Sequence, residues 1–191
     1  MFSVALTFAA ELHRDQFRKG TAIPYVSHLL GVASLALEHG ADEGEAIAAV
    51  LHDAIEDQGG VATEATIHRL FGARVADIVR GCSDTDVEPK PPWRERKEAY
   101  LLHLRTADAS TRLVSASDKL HNARAILSDL RAHGPALWTR FNAPPGDLLW
   151  YYQSLCAEFL QGGPRRLAEE LARVVEEIVD VHKLQNQRHA K

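Results

Sequence analysis

The amino-acid sequence predicts an all-α fold, and three features of the 191-residue chain support this prediction. Apolar residues recur at three- and four-residue steps in most segments, which is the spacing of one buried helix face. Glycine, proline and capping residues fall between these segments, where helices begin and end. No segment shows the alternation of apolar and polar residues that is typical of a half-buried strand. The chain is therefore expected to pack as helices around a common core.

The first half of the chain contains predicted helices separated by capping residues and glycines. These helices are predicted over 2–17, 24–40, 42–57, 63–71 and 73–83. Pro24 fits the first turn of the second helix, and Gly40 is a typical stop at its end. Asp42 and Glu45 have the spacing of a capping box, which opens the third helix. Gly72 separates the two short helices that follow.

The second half begins with a loop and continues as longer helices. Residues 83–92 are acidic and rich in proline, so a mobile surface loop is predicted there. Helices are then predicted over 93–107, 110–133, 147–160 and 165–187. Gly134 and Pro135 stop the longest of them. We expect one domain over 1–187 and a disordered tail at 188–191.

Composition excludes several classes of protein. With 46% hydrophobic and 25% charged residues, the chain resembles a globular domain rather than a disordered or collagen-like chain. The longest uncharged run, Thr21 to Leu37, is too short for a membrane span, and a cytoplasmic protein without a membrane partner is expected. A formal net charge of −4 argues against nucleic acid as a partner. Cys82 and Cys156 lack C-x-x-C spacing, which argues against a thiol metal site. A small-molecule ligand is expected, and the oligomeric state stays open.

The segment LHDAIED concentrates ionisable groups in the third predicted helix. His52 and Asp53 are adjacent, and helical geometry places Glu56 and Asp57 one turn later on the same side. Three carboxylates this close repel one another, and the C-terminal end of a helix also disfavours negative charge. Imidazole nitrogen together with carboxylate oxygen suits Mn, Fe, Zn or a similar divalent ion. The crowding therefore predicts a metal ion at this position.

Two further residues are candidates to complete the metal site. His28 lies among apolar residues of the second predicted helix, where a lone imidazole needs a partner, and Asp118 interrupts the longest helix. Each has an ordinary alternative, because a mid-helix histidine is often hydrogen bonded in a core and an aspartate beside a lysine is usually solvated. Only the combination with His52 and Asp53 favours metal binding.

The candidate ligands occur in the order of a known family. His28, His52, Asp53 and Asp118 resemble the H…HD…D metal-site pattern of HD-domain phosphohydrolases, whose fold is an all-α helical bundle. The flanking segments FRKGTAIPYVSH, VLHDAIED, LFGARVADIVRGCSD and LVSASDKLHNARAI resemble, in this order, the hydrolase domain of Rel/SpoT-type alarmone enzymes. The resemblance is closest to the stand-alone small alarmone hydrolases and extends over about residues 6–130, with weaker similarity beyond. It implies a single HD-type hydrolase domain.

The resemblance also implies a role for each matching residue. The H…HD…D residues would bind one Mn²⁺ or another divalent transition metal ion. Glu56 and Asp57 would form the acidic pair that positions and activates the attacking water. Arg18 and Lys19 would lie beside the nucleotide, although an exposed Arg-Lys pair is otherwise usually solvated, and Asn122 would help to hold the nucleotide near the metal.

The implied reaction is metal-dependent removal of the 3′-pyrophosphate from guanosine tetra- or pentaphosphate (ppGpp or pppGpp), with release of pyrophosphate. A divalent ion lowers the pKa of the water that it binds, and a neighbouring carboxylate can take the proton. Departures from the family leave the base preference open, since Gln58 and Ala125 stand where threonine or another hydroxyl residue is common. Alternatives are hydrolysis of an adenosine alarmone, a deoxynucleotide or an NADPH-like phosphate, and a nucleotide sensor without turnover.

Overall fold

The computed structural model describes residues 1–85 and 89–189 and confirms the all-α fold. Its α-helices are α1 (Phe2–Leu12), α2 (Val26–Glu38), α3 (Glu43–Leu51), α4 (Ala54–Asp57), α5 (Gly60–Phe71), α6 (Ala73–Cys82), α7 (Trp93–Leu104), α8 (Ala109–His133), α9 (Pro145–Gly162) and α10 (Arg165–His189). A 3-10 helix at Gly134–Arg140 lies between α8 and α9. In the part of the chain that the structure describes, the only extended pairing is an isolated antiparallel bridge between Phe17 and Pro24.

The first helix is shorter than the sequence predicts. Helix α1 ends at Leu12 rather than near Phe17, because the residues that follow turn back and pair with the chain ahead of α2. The backbone amide of Tyr25 donates to the carbonyl of Gln16, which closes this connection. A backbone group that is bonded across the loop cannot also continue the helix.

The predicted helix over 42–57 is two helices separated by a turn. His52 and Asp53 form this turn between α3 and α4. Nδ1 of His52 lies 2.9 Å from the carbonyl oxygen of Ala49, the acceptor that the amide of Asp53 would use in a continuous helix. The imidazole therefore occupies the end of α3. The capping box of Asp42 and Glu45 at the start of α3 is present as predicted.

Helix α8 lies at the centre of the bundle and joins two hydrophobic clusters. It packs against α2, α3 and α6 on one side and against α9 and α10 on the other. Leu120 and Leu130 belong to the cluster shared with α9 and α10, and Val114 belongs to the cluster shared with α1 to α6. All three are fully buried, and each such side chain stabilises the fold by roughly 1.5–3 kcal/mol. Polar residues on α8 are consequently held in place from both sides.

Two sequence predictions fall partly outside the described residues. Residues 86–88 of the predicted mobile loop lie outside them, and the described remainder of 83–92 contains no helix. Residues 190 and 191 of the predicted tail also lie outside them, whereas residues 188 and 189 are the end of α10. Among the helices that are described, none has the length and apolar character that a membrane crossing requires.

The contribution of the core can be tested on α9. Leu155 has no exposed surface and belongs to the cluster around α8. We expect Leu155→Ala to lower the free energy of unfolding by about 2–5 kcal/mol, because it removes buried apolar surface and leaves a cavity. Leu160 on the same helix is 52% exposed, and Leu160→Ala is expected to change it by about 0.5 kcal/mol or less. Urea denaturation measures both, and equal losses would contradict this picture of the core.

Candidate metal centre

Separate parts of the fold bring polar side chains to one point inside the bundle. His28 lies on α2, His52 and Asp53 form the turn before α4, and Asp118 lies on α8. His28, His52 and Asp118 are buried, and Asp53 is partly exposed. Because α8 packs on both α2 and α3, the contacts that form the core also position Asp118 beside the histidines.

The nitrogen and oxygen atoms of these side chains lie close together. Nε2 of His28 is 3.2 Å from Oδ1 of Asp118 and 3.5 Å from Oδ2 of Asp53. Nε2 of His52 is 2.9 Å from Oδ2 of Asp53 and 3.5 Å from Oδ1 of Asp118. The ligand atoms of His28, His52 and Asp118 all lie within 4.8 Å of one another. The residues of the H…HD…D pattern, separated along the chain, thus converge in space.

Each histidine is oriented by a contact of its outer nitrogen. Nδ1 of His52 donates to the carbonyl of Ala49, and Nδ1 of His28 lies 2.9 Å from Nδ1 of His121. The Nε2 atoms of His28 and His52 are buried and have no hydrogen-bond partner. Two such nitrogens facing the same two carboxylates form a donor set that fits a divalent transition metal ion.

The charges of the cluster favour a cation at the same point. Burial alone would lower the pKa of His52, but the carboxylates of Asp53 and Asp118 raise it to about 10. Burial would raise the pKa of Asp53, and the two histidines hold it well below its ordinary value. The pKa of Asp118 is also held low against burial, first by Lys119, whose Nζ lies 2.6 Å from Oδ2 of Asp118. Both carboxylates are therefore ionised and attract positive charge.

The two acidic residues after this turn face different ways. Asp57 lines a cavity beside Asp53, and burial by the surrounding protein, followed by repulsion from Asp53, raises the pKa of Asp57 to about 6. Glu56 instead accepts a hydrogen bond of 3.1 Å from the backbone amide of Asp84 and lies 3.3 Å from Nζ of Lys90. Of the acidic pair that the sequence predicts, Asp57 is the member at the cavity wall.

A chain of hydrogen bonds connects Arg18 to the metal-site candidate Asp118. Nη2 of Arg18 donates to Oδ1 of Asn122 at 2.7 Å, and Nδ2 of Asn122 donates to Oδ1 of Asp118 at 2.5 Å. Lys19 lies farther along the same cavity, where its Nζ donates to Oδ1 of Asn142 at 2.9 Å. The structure thus places Arg18, Lys19 and Asn122 around one cavity.

The cavity has a volume of about 660 Å³, which suits a small organic ligand. Its wall contains several basic side chains, namely Arg18, Lys19, Lys97, Lys119 and Arg140. It also contains aromatic side chains, namely Trp93, Phe141, Tyr151 and Tyr152. Basic groups bind anionic oxygens, and aromatic faces stack on planar rings. The wall offers both kinds of contact, together with the carboxylates of Asp53, Asp57, Asp118 and Asp129.

Sequence reasoning missed two residues that contact the predicted ligands. The hydroxyl of Tyr25 donates to Oδ2 of Asp53 at 2.5 Å, and His121 pairs with His28 as described above. Tyr25 precedes His28 by three positions, and His121 follows Asp118 by three. That spacing places each on the same helix face as a ligand, so helical geometry could have identified both.

This chain is similar to HD domains and to proteins named or described as ppGpp hydrolases. A family model described as HD domain matches residues 5–145. A Xenopus tropicalis protein named guanosine-3′,5′-bis(diphosphate) 3′-pyrophosphohydrolase MESH1 is 36% identical over 138 residues, covering 71% of this chain and 72% of that protein. The Mus musculus protein of the same name is 32% identical over 177 residues, covering 91% and 92%. One solved structure superposes on this chain with a TM-score of 0.75 and 27% identity, covering 92% of this chain and 94% of that one. It is described as a metazoan ortholog of SpoT that hydrolyzes ppGpp and plays a role in starvation responses.

The contact between His28 and His121 can be tested through Gly31. A methyl group at Gly31 would overlap with the ring of His121 and displace it from Nδ1 of His28. We expect Gly31→Ala to weaken Mn²⁺ binding by about tenfold, measured by titration calorimetry, because partners of ligand histidines orient the ring. Gly146→Ala is the matched control, since nothing lies within 4 Å of a methyl group there. Unchanged affinity in Gly31→Ala would show that the His121 contact does not support metal binding.

Proposed function

The chain belongs to the HD domain family, and on this basis we propose that it hydrolyses the 3′-pyrophosphate of ppGpp or pppGpp and releases pyrophosphate. The observation that carries the proposal is the convergence of His28, His52, Asp53 and Asp118 beside a basic cavity with aromatic side chains. The names of the MESH1 relatives and of the superposed structure describe the same reaction. The matches span 72% and 92% of the length of these two relatives.

We assign Mn²⁺ as the ion of the candidate centre, held by Nε2 of His28 and His52 and by the carboxylates of Asp53 and Asp118. When bound, such an ion polarises water and stabilises negative charge on phosphoryl oxygens. The buried, unpartnered Nε2 atoms and the ionised carboxylates support this assignment. Nitrogen and oxygen ligands together suit a borderline divalent ion, and the same donor set accepts other divalent transition metals.

Asp57 is the residue that we assign to take a proton from the attacking water. Its carboxylate lies at the cavity wall next to Asp53, and its pKa of about 6 keeps it mostly ionised near neutral pH. Water oxygen forms a bond to the phosphorus atom attached to the ribose 3′-oxygen, and the bond between that phosphorus and the 3′-oxygen breaks. The 3′-oxygen ends as a hydroxyl after it takes a proton, and pyrophosphate leaves. In this assignment Glu56 holds the segment at Asp84 and Lys90.

Arg18, Lys19 and Asn122 are assigned to bind the nucleotide. The guanidinium of Arg18 is oriented by Asn122, which itself donates to Asp118, so groups that contact the ligand are connected directly to the metal-site candidate. A planar guanidinium can stack on a purine or donate to phosphate, and the ammonium of Lys19 can neutralise phosphate charge. The Arg18 guanidinium also lies 5.9 Å from the ring centroid of Tyr25, which limits its motion.

Purified protein with Mn²⁺ and ppGpp is expected to release pyrophosphate, and chelation of the metal is expected to stop the release. Parallel reactions with the adenosine counterpart of ppGpp, a deoxynucleoside triphosphate and NADPH test which substrate is hydrolysed.

Asp53→Ala should lose both bound Mn²⁺ and activity, because it removes a carboxylate that faces both histidines. Asp15→Ala, at an exposed position on the surface, is the matched control. Absence of turnover at saturating Mn²⁺ would refute the proposal, and normal Mn²⁺ content in Asp53→Ala would refute the ligand assignment.

The role of Asp57 predicts both a mutant effect and a pH dependence. Asp57→Asn should lower kcat by about 10²–10⁴-fold, because the amide cannot accept the proton, while the Mn²⁺ content stays normal. In the unaltered protein kcat should fall as the pH decreases through about 6, where the Asp57 carboxylate becomes protonated. Asp77→Asn, at an exposed position on α6, is the control for loss of one carboxylate. A kcat for Asp57→Asn within a few fold of the control would contradict the assignment.

A further inference from the structure

The turn after α1 carries a hydrogen-bond network whose centre is the side chain of Gln16. Nε2 of Gln16 donates to Oδ2 of Asp57 at 2.8 Å. Oε1 of Gln16 lies 2.6 Å from Nδ1 of His13 and accepts a hydrogen bond of 2.7 Å from Nε2 of Gln58. Three side chains from two distant parts of the sequence therefore meet on a single amide. Its charged neighbour is the residue to which the proton transfer is assigned.

The network permits one orientation of the Gln16 amide. If the amide were reversed, its oxygen would face the Asp57 carboxylate, and two acceptors would lie at 2.8 Å. Its nitrogen would then face the amide nitrogen of Gln58, which is a donor. Only the orientation with the oxygen toward His13 and Gln58 satisfies every group. The N–H of Gln16 is thereby directed at Asp57.

His13 is held in the form that this arrangement needs. It is 2% exposed, and its ring stacks on Tyr25 with centroids 5.3 Å apart and planes inclined by 20°. Burial lowers the pKa of His13, so the ring is neutral and has one N–H to donate. Its Nε2 is buried and has no hydrogen-bond partner, whereas Nδ1 faces Oε1 of Gln16. The proton is therefore placed at Nδ1, where it has an acceptor.

We propose that Gln16 is a positioning residue that acts through Asp57: with its oxygen fixed by His13 and Gln58, it holds the Asp57 carboxylate at the cavity wall through Oδ2. The inference rests on the proposed function for its catalytic consequence. The hydrogen bond also stabilises the ionised carboxylate, which opposes the effects of burial and of Asp53 on the pKa of Asp57.

Several charged groups act on Asp57 besides Gln16. Asp53 and Glu56 raise the pKa of Asp57, Lys90 lowers it, and Asp57 in turn raises the pKa of the Tyr25 hydroxyl. All of them stay unchanged when only Gln16 is substituted. A change in the titration of Asp57 in a Gln16 variant that adds no charge therefore reports the amide itself.

Gln16→Glu keeps the shape of the side chain and its acceptors for His13 and Gln58, and it replaces the donor that faces Asp57 with a second carboxylate oxygen whose charge also repels Asp57. The decisive variant is Gln16→Met, which removes the donor without adding charge. His13→Phe keeps the ring on Tyr25 but removes one of the two donors that fix the amide. Gln153→Glu, at an exposed position on α9, is the control for added negative charge.

Two readouts separate this inference from the proposed function. The first is the pKa of the Asp57 carboxyl group, measured by carbon-13 NMR titration of the metal-free protein, which needs no substrate. We expect it to rise from about 6 by about one unit in Gln16→Met and by more in Gln16→Glu, with a smaller rise in His13→Phe and none in Gln153→Glu. The second is the pH profile of pyrophosphate release from ppGpp, whose acid limb should move to higher pH in the same variants.

The expected kinetic result is a loss in kcat near neutral pH of about tenfold for Gln16→Glu, with the KM for ppGpp and the Mn²⁺ content unchanged. An Asp57 pKa that is the same in the unaltered protein and in Gln16→Met would overturn the inference, and so would a wild-type acid limb in Gln16→Met. If the pKa responds as expected while the unaltered protein releases no pyrophosphate, the contact between Gln16 and Asp57 is supported and the proposed function fails instead.

Discussion

The carboxylates of Asp53 and Asp118 and the imidazoles of His28 and His52 lie within hydrogen-bonding range of one another inside this protein. The negative charge of the two carboxylates must be compensated by positive charge nearby. Nε2 of His52 lies 2.9 Å from Asp53, and Nε2 of His28 lies 3.2 Å from Asp118. Ionised carboxylates in a buried place are costly unless positive charge compensates them. The raised pKa of His52 and the pairing of Lys119 with Asp118 show how strongly this site attracts positive charge. A divalent ion would satisfy the same requirement.

The surrounding helices hold these groups in place, and the helical pattern is interrupted between α3 and α4. The ring of His52 takes the carbonyl of Ala49 and ends α3, which turns Asp53 toward α2 and α8. Helix α8 cannot shift in response, because large hydrophobic clusters hold it on both sides. Helical hydrogen bonding is therefore interrupted at one turn, where candidate ligands from three parts of the fold meet. The cavity beside this turn is lined by basic, acidic and aromatic side chains.

Hydrogen bonds connect the cluster and the neighbouring Asp57 to other polar side chains. Asn122 links Arg18 to Asp118, Tyr25 donates to Asp53, and Gln16 donates to Asp57. The links from Arg18 to Asn122, from Tyr25 to Asp53 and from Gln16 to Asp57 join residues 104, 28 and 41 positions apart, so the pattern around a single motif does not pair them. The different directions of Glu56 and Asp57 also result from a long-range contact. Glu56 accepts a hydrogen bond from the backbone amide of Asp84, whose position does not follow from the helical repeat around Glu56. Adjacent residues with the same chemistry thus acquire different surroundings.

The sequence by itself determined most of the helices and the capping box at Asp42, because helical periodicity and capping are local properties. It also identified the candidate ligands, because their H…HD…D order along the chain resembles that of a known family. It could not determine that α1 stops at Leu12 or that the helix breaks at His52, since loop pairing and a side-chain hydrogen bond override the apolar pattern there. Only the tertiary structure decided which groups surround Asp57 and how His28 is oriented. Those contacts join positions dozens of residues apart: packing of α8 against α2 brings His121 to His28, and the turn after α1 brings Gln16 to Asp57.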